Sequence, residues 1–121
     1  MQERPKLSGI RRPIVAFYNS WKGLQGAFRA EVAFRQEVAL SVVLIPLGVY
    51  LGKTNVERAL LIGAVFIVLI VELLNTGIET VVDRIGPERH ELSGLAKDVG
   101  SSAVLLSFGL LSVIWGFILF A

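Results

Sequence analysis

Cysteine is absent from the chain, which excludes disulfides, thiolate metal sites and thiol nucleophiles within it. Its one histidine, His90, stands in a hydrophilic stretch. Without His or Cys partners it is poor ground for a transition-metal centre. Neither sign of charge dominates: 12 Lys and Arg against 10 Asp and Glu leave a net charge of +2. That is too little to suggest a nucleic-acid partner. Aromatic residues are an ordinary 9% although hydrophobic residues make up 54%, so the apolar excess comes from Leu, Val, Ile and Ala. The excess is gathered into long runs. A bilayer demands this and a small soluble core does not, because a helix needs about 20 apolar residues to cross roughly 30 Å of hydrocarbon. At 121 residues a single membrane domain is expected over 1–121. No cleavable signal peptide is expected, since Arg11-Arg12 leads into Pro13-Ile14-Val15-Ala16-Phe17 and then Tyr18-Asn19-Ser20, with no uninterrupted apolar core.

The pattern predicts an all-α membrane protein with an N-terminal amphipathic surface helix and three transmembrane helices. Residues 1–12 (Glu3, Arg4, Lys6, Arg11, Arg12) read as a loose cytoplasmic tail. Over 12–30, Ile14, Phe17, Tyr18, Trp21, Leu24 and Phe28 follow 3–4 spacing. Arg12, Asn19, Lys22, Gln25 and Arg29 fall largely elsewhere around the helix. A basic amphipathic helix of this kind suits the membrane interface. Spans are expected over 33–51, 56–82 and 99–120. Pro46 interrupts the first, removing a backbone donor to Val42. The stretch 83–98 reads as a charged loop with turns at Gly86-Pro87 and Ser93-Gly94. Arg4, Lys6, Arg11, Arg12, Lys22, Arg29 and Arg35 precede or open the first span, against Lys53 and Arg58 in the first turn and Arg84, Arg89 and Lys97 in the second. The positive-inside bias therefore puts the N-terminus and the second loop in the cytoplasm and the C-terminus outside.

Chemistry concentrates in Glu72-Leu-Leu-Asn75-Thr-Gly77-Ile-Glu79-Thr-Val-Val-Asp83. At 100° per residue, Glu72, Asn75, Glu79 and Asp83 share one helix face. A charged carboxylate at membrane depth costs at least about 2.5–3.5 kcal/mol on insertion scales. If hydrocarbon ends near Thr80, Glu72 lies roughly 12 Å inside it and Glu79 at its edge. The stripe reads as a deep Glu serving as a base with a shallower Glu holding a cation, or as a network that packs helices. Glu31 and Glu37 enter the first span at the depth of Glu79. Two or three carboxylates at one level suit a Mg²⁺ carrying phosphates, and Lys97 and Asp98 open the third span from the same side. The run Gly48-Val-Tyr-Leu-Gly52-Lys53-Thr54 mimics a phosphate-binding loop, but it has three residues between the glycines where four are required. Close helix approach or a helix end explains it better.

Several segments together resemble the prokaryotic diacylglycerol kinase family over roughly residues 9–119. They are Ser20-Trp21-Lys22-Gly23-Leu24, Glu31-x-Ala33-Phe34-Arg35-Gln36-Glu37, Glu72-x-x-Asn75-x-x-x-Glu79-x-x-x-Asp83, Asp83-Arg84-Ile85-Gly86-x-Glu88-x-His90-Glu91-Leu92-Ser93 and Ala96-Lys97-Asp98. The resemblance implies a homotrimeric bundle in the bacterial inner (cytoplasmic) membrane, with active sites shared between neighbours. It implies transfer of the γ-phosphoryl of ATP, with Mg²⁺, to the hydroxyl of diacylglycerol. Glu72 would be the general base and Asn75 would orient the reacting groups. Glu31 and Glu79 would hold the metal. Arg12, Asn19, Glu88, Arg89, His90, Lys97 and Asp98 would lie on the nucleotide side with Glu31 and Glu79. Arg12, Ser20, Trp21, Gln36, Glu37, Glu72 and Ser101 would line the lipid side. Asn19 and Arg89 stand where the family commonly has aromatics.

Three other readings share parts of this pattern. A relative of the same fold would phosphorylate undecaprenol, although the Arg84-Ile-Gly…His90-Glu-Leu-Ser loop looks more like the diacylglycerol type. A small proton-coupled transporter would use a membrane Glu, but one central carboxylate suits it better than several bunched at one face. A non-catalytic assembly subunit would use the stripe only to pack helices.

Overall fold

A computed structural model describes residues 9–121 as four helices. The tail residues Glu3, Arg4 and Lys6 lie outside the described residues. Helix α1 spans Arg11–Ala30, α2 Val32–Leu51, α3 Asn55–Ile85 and α4 Glu91–Phe120. Among the described residues there is no strand. Helices α2, α3 and α4 are each long and apolar enough to cross a membrane. Most of their large apolar side chains are exposed, among them Val42, Val43, Phe66, Ile70, Leu105, Leu106 and Phe117. Water would penalise such a surface, whereas hydrocarbon accepts it. The chain is an integral membrane protein.

Helix α3 is the central element, packed along α4 on one side and α2 on the other, with α1 touching α2 and α3. Its buried positions are Leu61, Ala64, Val65, Val68, Glu72, Asn75 and Val82, a single face at 3–4 spacing. The core and the polar stripe are thus one continuous surface, apolar at one end and acidic at the other. Gly48 of α2 lets the helices close: a Cβ there would meet the Leu61 Cβ at 3.2 Å. At the same level Trp115 of α4 donates its indole N–H to the Leu61 carbonyl at 3.1 Å. The expected close approach at Gly48 is therefore present, and the stretch that mimics a phosphate loop is a helix end and turn. Helix α2 runs through Pro46 without a break.

Polar side chains at the helix ends satisfy backbone groups that hydrocarbon would leave stranded. Glu31 breaks the chain between α1 and α2 with extended backbone. Arg35, whose charge looks out of place in a span, donates to the Phe28 and Arg29 carbonyls at 2.8 and 3.0 Å. It closes the C-terminus of α1, where a cation also suits the helix dipole. Thr54 caps α3 by accepting from the Glu57 N–H at 3.1 Å, and Glu57 accepts in turn from the Lys53 N–H at 3.2 Å. This is a capping box shifted by one residue, since the carboxylate takes the N–H before the cap.

The charged stretch 83–98 is far more helical than its composition suggests. Helix α3 continues to Ile85 and α4 begins at Glu91, which leaves only 86–90 as a connection. Charges on the last turn of one helix and the first turns of the next can point to solvent, so they do not break the helices. The Ser93-Gly94 pair lies inside α4. Helix α1 is exposed at every position except Ala27, and its apolar side chains are left for an interface to cover. Gly48→Leu should lower the midpoint of thermal unfolding in detergent, at a cost of about 1–3 kcal/mol for overpacking. Gly48→Ala should cost less, and equal stability of both variants with the parent would remove Gly48 from the packing argument.

Candidate active site

Burial falls along the α3 stripe in the order its depth requires. Glu72 is 4% exposed and Asn75 8%; Glu79 is half-buried and Asp83 exposed. Asn75 donates from Nδ2 to Glu79 Oε1 at 3.3 Å. From α2, Glu37 brings its carboxyl beside that of Glu72. Glu31 and Glu79 are both near enough for their charges to act on Glu72. Helix periodicity set up the α3 residues. The extended backbone at Glu31 and the first turns of α2 supply the other two carboxylates.

Among the described residues, buried Asn75 Oδ1 and Thr76 Oγ1 have no hydrogen-bond partner, and Glu37 Oε2 has none beyond the neighbouring Glu72 carboxyl. Buried polar atoms are nearly always satisfied, so acceptors left open beside Glu72 mark a place where a hydroxyl, an ammonium or a cation can bind. Gly100 of α4 is what admits Asn75, because a Cβ at that position would collide with Asn75 Oδ1. Sequence reasoning passed over Gly100 and Thr76. Both are common residue types in membrane helices, and only the packing of α4 on α3 gives them meaning.

Next to this cluster an open cavity of about 470 Å³ is lined by Val82, Asp83, Glu88, Arg89, His90 and Lys97, among others. Lys97 extends the acidic cluster toward it: the charge of Glu79 reaches its ammonium, and Asp83 pairs with it at 2.7 Å. His90 has a structural task as well, since its Nδ1 accepts from the Leu92 N–H at 3.1 Å and caps α4.

Of the expected lipid-side residues, Ser20 and Trp21 line two different grooves. Ser20 lines a mostly apolar groove of about 830 Å³ between α1 and α3, together with Leu73, Thr76 and Thr80. Its hydroxyl donates to the Ala16 carbonyl at 2.9 Å. Trp21 lines a separate groove of about 410 Å³ with Leu24, Phe28, Phe34 and Val38. Gln36, Asp98, Ser101, Arg12 and Asn19 are exposed and line none of the cavities described here. Glu31, Glu37, Glu72, Asn75, Glu79 and Lys97 thus gather in one region, with Glu88, Arg89 and His90 around the cavity beside it.

Among the described residues no group of three or more His, Cys, Asp or Glu side chains is arranged to hold a metal ion. Mg²⁺ that arrives with phosphates needs only one or two protein carboxylates; Glu31 and Glu79 both lie near enough to Glu72 for their charges to act on it.

A helical membrane protein with a buried acid, flanking carboxylates and a neighbouring cavity that holds a lysine has the groups a membrane-embedded phosphotransferase needs. The sequence profile of prokaryotic diacylglycerol kinases matches residues 18–119, and the chain belongs to that family. The diacylglycerol kinase of Haemophilus influenzae is 49% identical over 115 residues, covering 95% of this chain and 98% of its own length. That of Escherichia coli K12 is 46% identical over 114 residues, 94% and 93% of the two chains. That of Pseudomonas aeruginosa is 47% identical over 112 residues, 93% and 91%. The polyprenol, transporter and assembly-subunit readings draw no support from these relatives. Gly100→Ala should displace Asn75 and lower turnover about tenfold or more, since small misplacements at a reacting centre are expensive. Turnover within twofold of the parent, in protein of unchanged helicity, would exclude a catalytic part for the Asn75–Gly100 contact.

Proposed function

We propose that the chain is a diacylglycerol kinase that moves the γ-phosphoryl of Mg-ATP to the free hydroxyl of diacylglycerol at the cytoplasmic face of the bacterial inner membrane. The observation that carries this reading is Glu72: a carboxyl 4% exposed, with Glu37, Glu79 and Glu31 near enough to act on it, on the helix face that leads to the cavity shared by Asp83 and Lys97. A lipid hydroxyl floats near the interface, so a base on a membrane helix just below that level can reach it. Phosphoryl transfer depends mainly on positioning and charge neutralisation, which this set of groups can provide.

Glu72 takes the proton of the lipid hydroxyl as general base. The lipid oxygen bonds to the γ-phosphorus, the bond to the β-phosphate oxygen breaks, and ADP leaves with its electron pair. Asn75 orients the reacting groups through its open Oδ1, while its Nδ2 fixes Glu79. Glu31 and Glu79 would hold Mg²⁺, which would neutralise phosphate charge there. Lys97 meets a phosphate, and Arg12, Asn19, Glu88, Arg89, His90 and Asp98 attend the rest of the nucleotide. Glu37, Ser20, Trp21, Gln36 and Ser101, with Arg12, face the lipid. The exposed residues among these, and the uncovered apolar faces of the helices, fit a homotrimer in which neighbours complete each site. Helix α1 lies in the interface, with the N-terminus cytoplasmic as the distribution of basic residues requires.

Transfer of labelled γ-phosphate from Mg-ATP in mixed micelles, with diacylglycerol and undecaprenol offered in parallel, should give phosphatidate and little polyprenyl phosphate. The reverse would keep the mechanism and move the substrate. No product from either lipid, in folded protein, would sink the kinase reading. Glu72→Gln should abolish turnover while leaving assembly intact; a rate like that of the parent would end the assignment of Glu72 as base. Glu79→Gln should raise the Mg²⁺ concentration needed for half-maximal rate, and unchanged metal dependence would take Glu79 out of the metal site.

A further inference from the structure

The reaction scheme gives every polar member of the α3 stripe a task except Asp83. This carboxylate lies one helical turn beyond Glu79 on the same face. It lines the cavity of about 470 Å³ shared by Glu88, Arg89, His90 and Lys97. Its Oδ1 holds Lys97 Nζ at 2.7 Å, in the single ion pair found among the described residues. The two partners come from different helices, the last turn of α3 and the second turn of α4.

We propose that Asp83 is a positioning residue that stands in for phosphate when no nucleotide is bound, holding the Lys97 ammonium at the cavity until Mg-ATP takes it over. The proposal rests on the reading of Lys97 as a phosphate contact. Carboxylate and phosphate oxygens are equivalent acceptors for an ammonium, which has three donors on a flexible stem. The pair is open to water, with side-chain exposures of 45% for Lys97 and 67% for Asp83. Exposed pairs of this kind are weak, so a triphosphate carrying several negative charges can break this one. Asp83 then acts as a reversible latch. It keeps Lys97 at the cavity while the site is empty, and it competes with the nucleotide for the same cation. Once released, its negative charge faces the polyphosphate and opposes tight retention of the ADP product.

The test is equilibrium binding of a non-hydrolysable Mg-ATP analogue to the full chain in micelles, for the parent, Asp83→Asn, Lys97→Gln and the double variant. Asp83→Asn should tighten binding about two- to fivefold, the range an exposed ion pair spans. That gain should shrink toward nothing in the Lys97→Gln background, and Asp83→Glu should restore the parental affinity. Weaker or unchanged binding in Asp83→Asn overturns the latch; if its thermal midpoint falls at the same time, the pair merely staples α3 to α4. Equal tightening with and without Lys97 also overturns it, because a general charge effect would then suffice. Failure of the parent itself to bind the analogue removes the nucleotide site, and with it the reading on which the latch depends.

Discussion

The structure depends on keeping a carboxyl, Glu72, on the buried face of a membrane helix. At that depth an acid is tolerated only with polar company. Much of the surrounding half of the bundle supplies it. Helix α2 begins immediately after Glu31, which brings Glu37 round to face α3. Helix α4 presents a glycine where Asn75 must fit, and Asn75 in turn ties down Glu79. The opposite half is ordinary membrane packing, built on Leu61, Gly48 and the Trp115 indole. The molecule therefore has a close-packed anchor at one end and an under-satisfied polar cluster at the other, on one continuous face of α3. Close packing is concentrated in the first, and open acceptors in the second.

The same need to satisfy polar groups in an apolar medium accounts for charges that look misplaced in the sequence. Arg35 near the start of a span is a cap for the preceding helix. His90 is at once the N-cap of α4 and a lining residue of the cavity beside the acids. That cap ties His90 to the first turn of α4, and only 86–90 separate the two helices. A long loose loop would have had to be ordered by the ligand, at an entropic cost for each residue fixed. Helical continuation on both sides thus favours a preformed site.

The sequence by itself determined the all-α membrane class, because runs of apolar residues long enough to cross hydrocarbon have few other stable forms. It also determined that Glu72, Asn75, Glu79 and Asp83 share a face, since 3.6 residues per turn leaves no other arrangement. The motif combination was enough to indicate the family to which the chain belongs. What composition misjudged was the stretch 83–98: charge density looks like a loop when it is read alone, whereas exposed helix ends carry charge at little cost. Tertiary structure alone decided that Gly100 makes room for Asn75, that Lys97 turns to Asp83, and that Ser20 and Trp21 line different grooves. These outcomes depend on how whole helices rotate and close against one another. Local periodicity fixes which residues share a face, but it does not say which face of the neighbouring helix they meet.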